Sequence, residues 1–188
     1  MTKHPIGEPS LPDKVLIIDE ALTEAKIPHA IGGALALAYY AEPRATIDVD
    51  VNLFIPAEKW RKVVDILVPL GVSAEELEES ALLRDGQCRL WWGENPVDLF
   101  FANAPIHDAM RDAIRRVPFA GATIPILGPE HLAVCKAMFD RPKDWLDLEQ
   151  MLLGTAGLDV SEIERWLIQM VGHDDPRLRH LRTLQPPV

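Results

Sequence analysis

Apolar residues recur along the chain with two different spacings. A spacing of three or four residues predicts a helix, and a spacing of two or a short continuous apolar run predicts a strand. Residues 11–25 carry apolar side chains every three or four positions, which predicts an amphipathic helix. Pro28 breaks this pattern, and residues 29–31 then predict a short strand. A second helix is predicted over residues 32–40, and a strand of mostly branched apolar side chains over residues 47–55.

The remaining pattern predicts a strand-rich middle and a helical end. Residues 82–92 are typical of a hairpin that turns at residues 84–87. The other predicted elements are, in chain order, a helix over 56–67, a strand over 97–102, a helix over 106–116, strands over 117–119 and 123–127, and helices over 129–139, 144–153 and 161–171, the last one capped by Ser161. Residues 1–11 are expected to form a loose lead-in, and the final Gln-Pro-Pro-Val is expected to fray.

This order of elements predicts a small mixed-sheet fold of the α/β or α+β class. We expect an α/β core over residues 1–127 and a helical C-terminal segment over residues 128–188 that packs on it. The chain has 188 residues, of which 48% are hydrophobic, so it can bury a core as one domain or as a domain with a small appendage.

The charge balance narrows the classes of partner. A formal net charge of −10 disfavours indiscriminate attraction to DNA or RNA, because that attraction requires basic surface. A local basic patch at Arg111, Arg115 and Arg116 stays open, although a solvated helix face is the more ordinary interpretation.

The cysteines and histidines form no recognisable disulfide or zinc pattern. Cys88 and Cys135 stand far apart without a CxxC motif. The six histidines show neither HxxxH nor HxH spacing, so each is interpreted as a surface or cap residue. The sequence begins without a leader and holds no apolar run of membrane-spanning length, so we expect a cytoplasmic protein with no membrane partner.

The strongest chemical signal is a pair of carboxylates within an apolar strand. Asp48 and Asp50 occupy alternate positions and therefore point to the same face of the predicted strand. Two like charges held that close repel each other unless a cation lies between them. Since carboxylate oxygens are ligands that Mg²⁺ prefers, the pair predicts a divalent metal site.

Two further features fit the same chemistry. Asp98 is the one charge in the apolar strand 97–102, and it would complete a three-carboxylate site if that strand lay beside the first. Gly32 and Gly33 lie at a predicted strand-to-helix junction, where backbone N–H groups can approach phosphates closely. The ordinary interpretations are a carboxylate bonded to a turn for Asp98 and a plain helix start for the glycines.

These motifs together resemble the nucleotidyltransferase superfamily of the DNA polymerase β type. The pattern comprises the glycine pair, a helix, Asp48-Val-Asp50, and a lone aspartate on a later strand, here Asp98. The sequence Arg44-Ala-Thr46-Ile-Asp48-Val-Asp50 most resembles the AbiEii/AbiGii-type toxin nucleotidyltransferases. Residues 128–148 are similar to the downstream region of that type. Gly33 stands where members often carry serine.

The resemblance implies a nucleotidyltransferase core and Mg²⁺-dependent transfer of a nucleotidyl group from an NTP to a hydroxyl. Asp48, Asp50 and Asp98 would be the catalytic and metal-binding residues. The nucleotide-binding residues would be Gly32, Gly33, Arg44, Thr46 and Lys136. The acceptor would be RNA, such as tRNA, or a protein, and an antitoxin partner would be expected in a toxin–antitoxin or phage-defence setting.

Other interpretations remain open from the residues. Arg44 and Thr46 can instead brace the acidic strand, and Lys136 can be a surface residue. Asp144 and Asp147 can belong to an ordinary charged helix face. Two further functions are also compatible: a degenerate fold that binds without turnover, and a small-molecule nucleotidyltransferase of the aminoglycoside type, whose cationic acceptor would suit the acidic charge.

Overall fold

The chain divides into two compact units in a computed structural model that describes residues 8–184. The first unit, called the sheet unit here, combines the stretches Met1–Ile31 and Ile47–Ile126. The second, the helical unit, combines Gly32–Thr46 and Leu127–Val188. The expected frayed tail, and residues 1–7 of the expected lead-in, lie outside the described residues.

The sheet unit is built on a mixed sheet of six strands in the described part of the chain. Their spatial order is β3-β4-β2-β1-β6-β5. The strands are β1 (His29–Ile31), β2 (Val49–Pro56), β3 (Gln87–Trp92), β4 (Asn95–Ala102), β5 (Arg115–Phe119) and β6 (Ala122–Ile126). The sheet confirms the predicted mixed α/β class.

The pairing of β2 with β4 decides where the acidic residues lie. The two strands are neighbours and run parallel, with Val49 opposite Val97 and Asp50 opposite Asp98. On its other side β4 pairs antiparallel with β3, and Arg89 stands opposite Asp98. Side chains at directly opposed positions project to the same face of a sheet. Asp50, Asp98 and Arg89 therefore form one row across three strands.

Four helices complete the sheet unit within the described residues. They are α1 (Leu11–Glu24), α3 (Trp60–Leu67), α4 (Glu79–Asp85) and α5 (Ile106–Asp112). The first helix begins with a capping box, because Ser10 and Asp13 each accept a hydrogen bond from the other's backbone N–H. Val15, Ile18 and Leu22, on one side of this helix, are fully buried. Burial of this apolar stripe supplies the main stabilisation of the helix.

The helical unit contains the other five helices of the described chain. They are α2 (Gly33–Leu37), α6 (Pro129–Phe139), α7 (Pro142–Gly154), α8 (Val160–Val171) and α9 (Pro176–Leu184). The segment after α2 is held to the C-terminal helices, since the Tyr40 hydroxyl donates to the Leu127 carbonyl oxygen at 2.7 Å. Thr155 in turn donates to the carbonyl oxygen of Tyr40 at 2.8 Å.

Several predicted elements were wrong in type or in bounds. The expected turn at residues 84–87 is the end of helix α4, where Gly86 adopts a left-handed φ of 66° and stops the helix. The actual hairpin joins β3 to β4 through Gly93, which has a φ of 59°. Helix α8 is capped by Asp159, which accepts from the Glu162 N–H at 3.0 Å, so Ser161 lies inside the helix.

Two histidines interpreted as surface or cap residues are buried. His29 is 5% exposed, and its ring nitrogens contact the Ile27 carbonyl oxygen and the Asp19 carboxylate at 2.9 and 2.8 Å. His131 is 2% exposed and has no hydrogen-bond partner among the described residues. Burial lowers the pKa of His131, which keeps its ring neutral at pH 7.

None of the helices in residues 8–184 is both long enough and apolar enough to cross a lipid bilayer.

Candidate catalytic site

The predicted acidic residues lie together on one face of the sheet unit. Asp50 and Asp98 are opposed on neighbouring parallel strands, and both are half-buried. Asp48 comes two residues before Asp50 and is also half-buried. Strand β2 begins at Val49 rather than at the predicted residue 47, so Asp48 lies just before it. The apolar neighbours Val49, Val97 and Leu99 are fully buried. The carboxylates therefore lie at the edge of a core of fully buried apolar side chains.

Arg89 joins this group from β3. Its Nε and Nη2 donate to the two carboxylate oxygens of Asp98, each at 2.7 Å, in a bidentate pair. The hydrogen bond to Asp98 raises the pKa of Arg89, and the charges of Asp98, Asp48 and Asp50 raise it further. One guanidinium therefore lies within the electrostatic reach of all three carboxylates.

The thiol next to Arg89 in the chain is not activated, and it lies on the opposite face of the sheet, where Cys88 stands opposite Leu99. Cys88 precedes Arg89 on β3, and burial together with the charge of Asp98 raises the pKa of its thiol to about 12. A thiol with such a pKa is protonated at neutral pH and is a poor nucleophile.

A buried polar chain fixes the backbone just before Asp48. The Asn95 amide nitrogen donates to the Ile47 carbonyl oxygen at 2.9 Å. The Asn95 amide oxygen accepts from the Lys14 ammonium at 2.7 Å. Lys14 is 1% exposed and also donates to the Trp92 carbonyl oxygen at 2.8 Å and to Glu8. This chain ties helix α1 and the start of β4 to the segment that carries the first carboxylate.

The carboxylates fit a divalent cation by their chemistry. The carboxylate oxygens of Asp48, Asp50 and Asp98 are the kind of donor that Mg²⁺ prefers, and all three charges act on the same guanidinium. Among residues 8–184, no three His, Cys, Asp or Glu side chains already stand in a metal-holding arrangement. Asp98 engages Arg89 in this geometry, so an ion bound here would compete with that guanidinium for its oxygens.

The glycine pair belongs to the helical unit. Gly32 directly follows strand β1 in the chain and is the N-cap residue of helix α2, without a side-chain cap. Gly33 has a φ of 56°, in the left-handed region that favours glycine. A serine at this position would be strained, which explains why the serine frequent in the resembled family is absent here.

The remaining predicted nucleotide-binding residues also lie in the helical unit. Arg44 donates from Nε to Asp147 Oδ1 and from Nη2 to Asp147 Oδ2, both at 3.0 Å. Lys136 is 4% exposed and donates to Asp147 at 2.6 Å and to Asp144 at 3.4 Å. Thr46 is half-buried.

This cluster contradicts two of the open interpretations from the sequence. Lys136 is not a surface residue, and Asp144 and Asp147 are 0% and 6% exposed, so they do not form a charged helix face. Burial by itself raises the pKa of Asp147, but hydrogen bonds from Arg44 and Lys136 outweigh it and hold that pKa below its usual value. Asp147 is therefore an ionised bridge between two cations.

The fold of this chain is similar to the folds of several solved structures. ANT(2'')-Ia in complex with adenylyl-2''-tobramycin aligns with a TM-score of 0.58 at 18% identity, over 90% of this chain and 95% of that one. The solution structure of the antibiotic-resistance factor ANT(2'')-Ia gives 0.55 at 17% identity, over 93% and 88%. The lincomycin-bound lincosamide antibiotic adenylyltransferase LnuA gives 0.51 at 14% identity, over 73% and 94%.

The chain has a nucleotidyltransferase fold. The expected superfamily fold is therefore confirmed, while the closer similarity to the AbiEii/AbiGii type stays a prediction. No protein-family model and no curated protein matches the sequence.

Sequence reasoning missed three residues that shape this nucleotidyltransferase-fold site. Arg89 contacts Asp98, Asn95 contacts the Ile47 backbone, and Lys14 donates to Asn95, yet none of the three belongs to a motif. A weak signal existed for Arg89, since it lies at a position of its strand that alternates with buried Leu90. Its register with Asp98 becomes visible only in the folded sheet.

Proposed function

We propose that the protein is a Mg²⁺-dependent nucleotidyltransferase that moves a nucleoside monophosphate from an NTP to a hydroxyl acceptor and releases pyrophosphate. The observation that carries this proposal is the row formed by Asp50, Asp98 and Arg89 across three strands, with Asp48 two residues from Asp50. The fold likeness to two adenylyltransferases supports the same chemistry.

In this proposal Asp48, Asp50 and Asp98 hold the metal. Bound Mg²⁺ would supply positive charge to the phosphate oxygens during displacement at phosphorus. Asp98 accepts the proton of the acceptor hydroxyl, since a carboxylate at the edge of the group can reach a neighbouring oxygen. Arg89 compensates the carboxylates when they hold no cation, because it pairs with Asp98 at 2.7 Å.

The contacts to the triphosphate are assigned from the sequence resemblance alone. Gly32 and Gly33 present backbone N–H groups, and Arg44 adds positive charge. We assign Lys136 a positioning role, because its charge is already matched by Asp144 and Asp147 in a buried cluster. Through Asp147 it orients the guanidinium of Arg44. Thr46 is proposed to brace the backbone before the acidic strand.

For the acceptor, we propose a macromolecule, RNA or protein, in a cytoplasmic toxin–antitoxin or phage-defence system. This part rests on the sequence resemblance at residues 44–50. A second candidate is transfer to a cationic small molecule. The antibiotic-bound likenesses and the net charge of −10 favour it. Incubation with labelled NTP distinguishes the two candidates. The label should appear on RNA or protein in the first case and on the small molecule in the second.

The first prediction concerns the three carboxylates. Asp48→Asn, Asp50→Asn and Asp98→Asn should each reduce Mg²⁺-dependent nucleotidyl transfer by at least about 100-fold, because each loses charge that acts on the transferred phosphate. Each labelled NTP is incubated with total RNA, with cell protein and with aminoglycosides, and the labelled product is identified. For Asp48→Asn and Asp50→Asn the melting temperature without metal should not fall, since removing a like charge relieves repulsion.

Asp85→Asn is the matched control, because Asp85 is an exposed aspartate of the sheet unit that pairs with Arg84. Its turnover should equal that of the unchanged protein. Full transfer in the Asp48→Asn/Asp50→Asn double variant would refute the enzyme proposal. Binding of NTP without any labelled acceptor would instead favour the degenerate, non-catalytic fold.

A further inference from the structure

A basic groove lies on the sheet unit, away from the carboxylates. Two adjoining cavities of about 390 and 430 Å³ share Lys26 and Ile27 in their walls. Five cationic side chains line them, and neither wall contains an aspartate or glutamate. These residues define the basic groove: Lys26, Lys59, Lys62, Arg111 and Arg116.

Most of this positive charge is not neutralised by the protein. Within residues 8–184, Lys26, Lys59, Lys62 and Arg116 are exposed and make no ion pair. Arg111 differs, because it pairs with Asp108 and Asp112 at 2.9 and 3.1 Å. Four uncompensated cations in one groove are unusual on a chain of net charge −10. Their charge is available to an anionic ligand.

The groove lies at the end of the sheet opposite the carboxylates. Its wall includes Phe54, which follows Asp50 by four residues on β2, and His29, which pairs with Leu53 of the same strand. Four residues of strand span roughly 13 Å. The groove is therefore not the proposed catalytic site, and a ligand that reaches both must be extended.

One groove residue has a backbone that does not suit its side chain. Lys26 adopts a left-handed φ of 56° at the end of helix α1, where glycine is the least strained residue. Its N–H donates to the Thr23 carbonyl oxygen at 3.0 Å, and the Ile27 N–H donates to the Leu22 carbonyl oxygen at 2.9 Å, which closes the helix. Glycine would adopt this backbone conformation with less strain, whereas lysine adds a positive charge to the groove.

We propose that the basic groove binds the sugar-phosphate backbone of single-stranded RNA. Charges spread over two adjoining cavities match an anion whose charges repeat along its length, whereas one small anion would need only one of them. The half-buried Ile55, Ile66 and Ile114 in the groove walls can contact sugars and bases between phosphates. This names the acceptor class for the proposed transferase, and its biological meaning rests on that proposal.

The test measures binding separately from catalysis. A fluorescein-labelled single-stranded RNA of about 20 nucleotides is titrated with the full chain in EDTA, at about 50 and 200 mM salt, and anisotropy is recorded. The groove variant combines four changes: Lys26→Gly, Lys59→Gln, Lys62→Gln and Arg116→Gln. The control variant removes the same number of charges outside the groove: Arg84→Gln, Lys143→Gln, Arg165→Gln and Arg179→Gln.

We expect the unchanged protein to lose affinity with rising salt, with a logarithmic slope of about −3 for four phosphate contacts. The groove variant should bind at least about tenfold more weakly at the lower salt and show a flatter slope. The control variant should bind like the unchanged protein. Lys26→Gly alone should weaken binding while the melting temperature stays equal or rises, because it relieves the left-handed backbone.

Three outcomes would overturn the RNA assignment. The first is equal weakening of the groove and control variants, which would reduce the effect to net charge. The second is equally effective competition by polyglutamate, which would indicate an acidic protein partner. The third is full displacement by inorganic phosphate, which would indicate a small-anion site. The Asp48→Asn/Asp50→Asn double variant should still bind RNA, so failure of the transferase proposal and failure of the groove proposal are separable.

Discussion

At the scale of single residues, Arg89 is the positive charge that offsets the negative charges of Asp48, Asp50 and Asp98. Its guanidinium is half-exposed and pairs bidentately with Asp98, whose side chain is 18% exposed. Because the pair is close to solvent, it contributes no more than about 1 kcal/mol to stability. Its larger effect is electrostatic, since it offsets the repulsion among Asp48, Asp50 and Asp98.

Arg89→Gln should therefore strengthen the response to Mg²⁺. Loss of the guanidinium frees both oxygens of Asp98 from their ion pair, so we expect several-fold tighter Mg²⁺ binding and a slightly lower melting temperature in EDTA. Thermal melting in a MgCl₂ titration without NTP measures both effects. Arg84→Gln, which breaks the exposed pair with Asp85, is the control. A weaker Mg²⁺ response in Arg89→Gln would show that the carboxylates do not form the metal site.

At the scale of elements, Asn95 links three parts of the sheet unit. It lies at the start of β4, accepts from Lys14 of α1 and donates to the carbonyl oxygen of Ile47, the residue before Asp48. A buried lysine that loses an acceptor is costly, because its charge cannot be solvated. The same contact also limits the movement of the first carboxylate, so Asn95 is a positioning residue with two separable effects.

Two substitutions separate these effects. Asn95→Ala removes both hydrogen bonds and should lower the free energy of unfolding by about 2 kcal/mol and turnover by at least about tenfold. Asn95→Asp keeps an acceptor for Lys14 but cannot donate to Ile47, so stability should recover while turnover stays low. Urea unfolding and steady-state nucleotidyl transfer measure the two quantities. Full turnover in Asn95→Asp would assign the residue a purely structural role.

Local patterns predicted the elements well because they report on neighbours along the chain. The alternation around Asp48 and Asp50 and the lone Asp98 indicated the acidic strands, and the sheet places them side by side. The register that opposes Arg89 to Asp98 depends on pairing between distant strands, which no local period encodes. The burial of Lys136 could not be predicted from the local sequence either, because it depends on two carboxylates of a later helix.

The mistaken hairpin has a related cause. Residues 82–85 belong to helix α4, although the sequence pattern suggested the start of a hairpin and its turn there. Left-handed Gly86 both ends that helix and leads into β3. A Gly after Asp signals a turn of either kind, so its sequence does not distinguish a hairpin from a helix end.

At the scale of the whole molecule, carboxylates dominate the charge, with 29 acidic and 19 basic side chains. Asp147 has a pKa held below its usual value by Arg44 and Lys136 against the opposing effect of burial. Hydrogen bonds from Arg177 lower the pKa of Asp175 to about 2. A carboxyl whose pKa is lower in the folded state stabilises the fold above the unfolded pKa of about 3.9, and this contribution is lost as pH falls through the folded pKa.

The free energy of unfolding should therefore decrease as pH falls below about 4. Asp147→Asn should lower it at pH 7 by roughly 3 kcal/mol, because two cations lose their shared buried partner. The difference between variant and unchanged protein should shrink at acidic pH, where Asp147 itself becomes protonated. Urea unfolding at a series of pH values tests this. Asp108→Asn, at an exposed pair with Arg111, should stay within about 0.5 kcal/mol at every pH. A constant gap for Asp147→Asn would show that its ionised form is not what stabilises the helical unit.

The direct pairing of β2 with β4 has a consequence for how such proteins can diversify. Asp50 and Asp98 are kept in step by the ladder between these two strands, so their alignment does not depend on the length of the surface segments of the crossover that connects them. Ser73 is bridged to Trp91 of β3, so insertions should be placed after it, at residues 74–78, where a longer surface segment costs little free energy and leaves the carboxylates undisturbed. New acceptor preferences could then evolve, or be engineered, by grafting at that stretch on an unaltered chemical core.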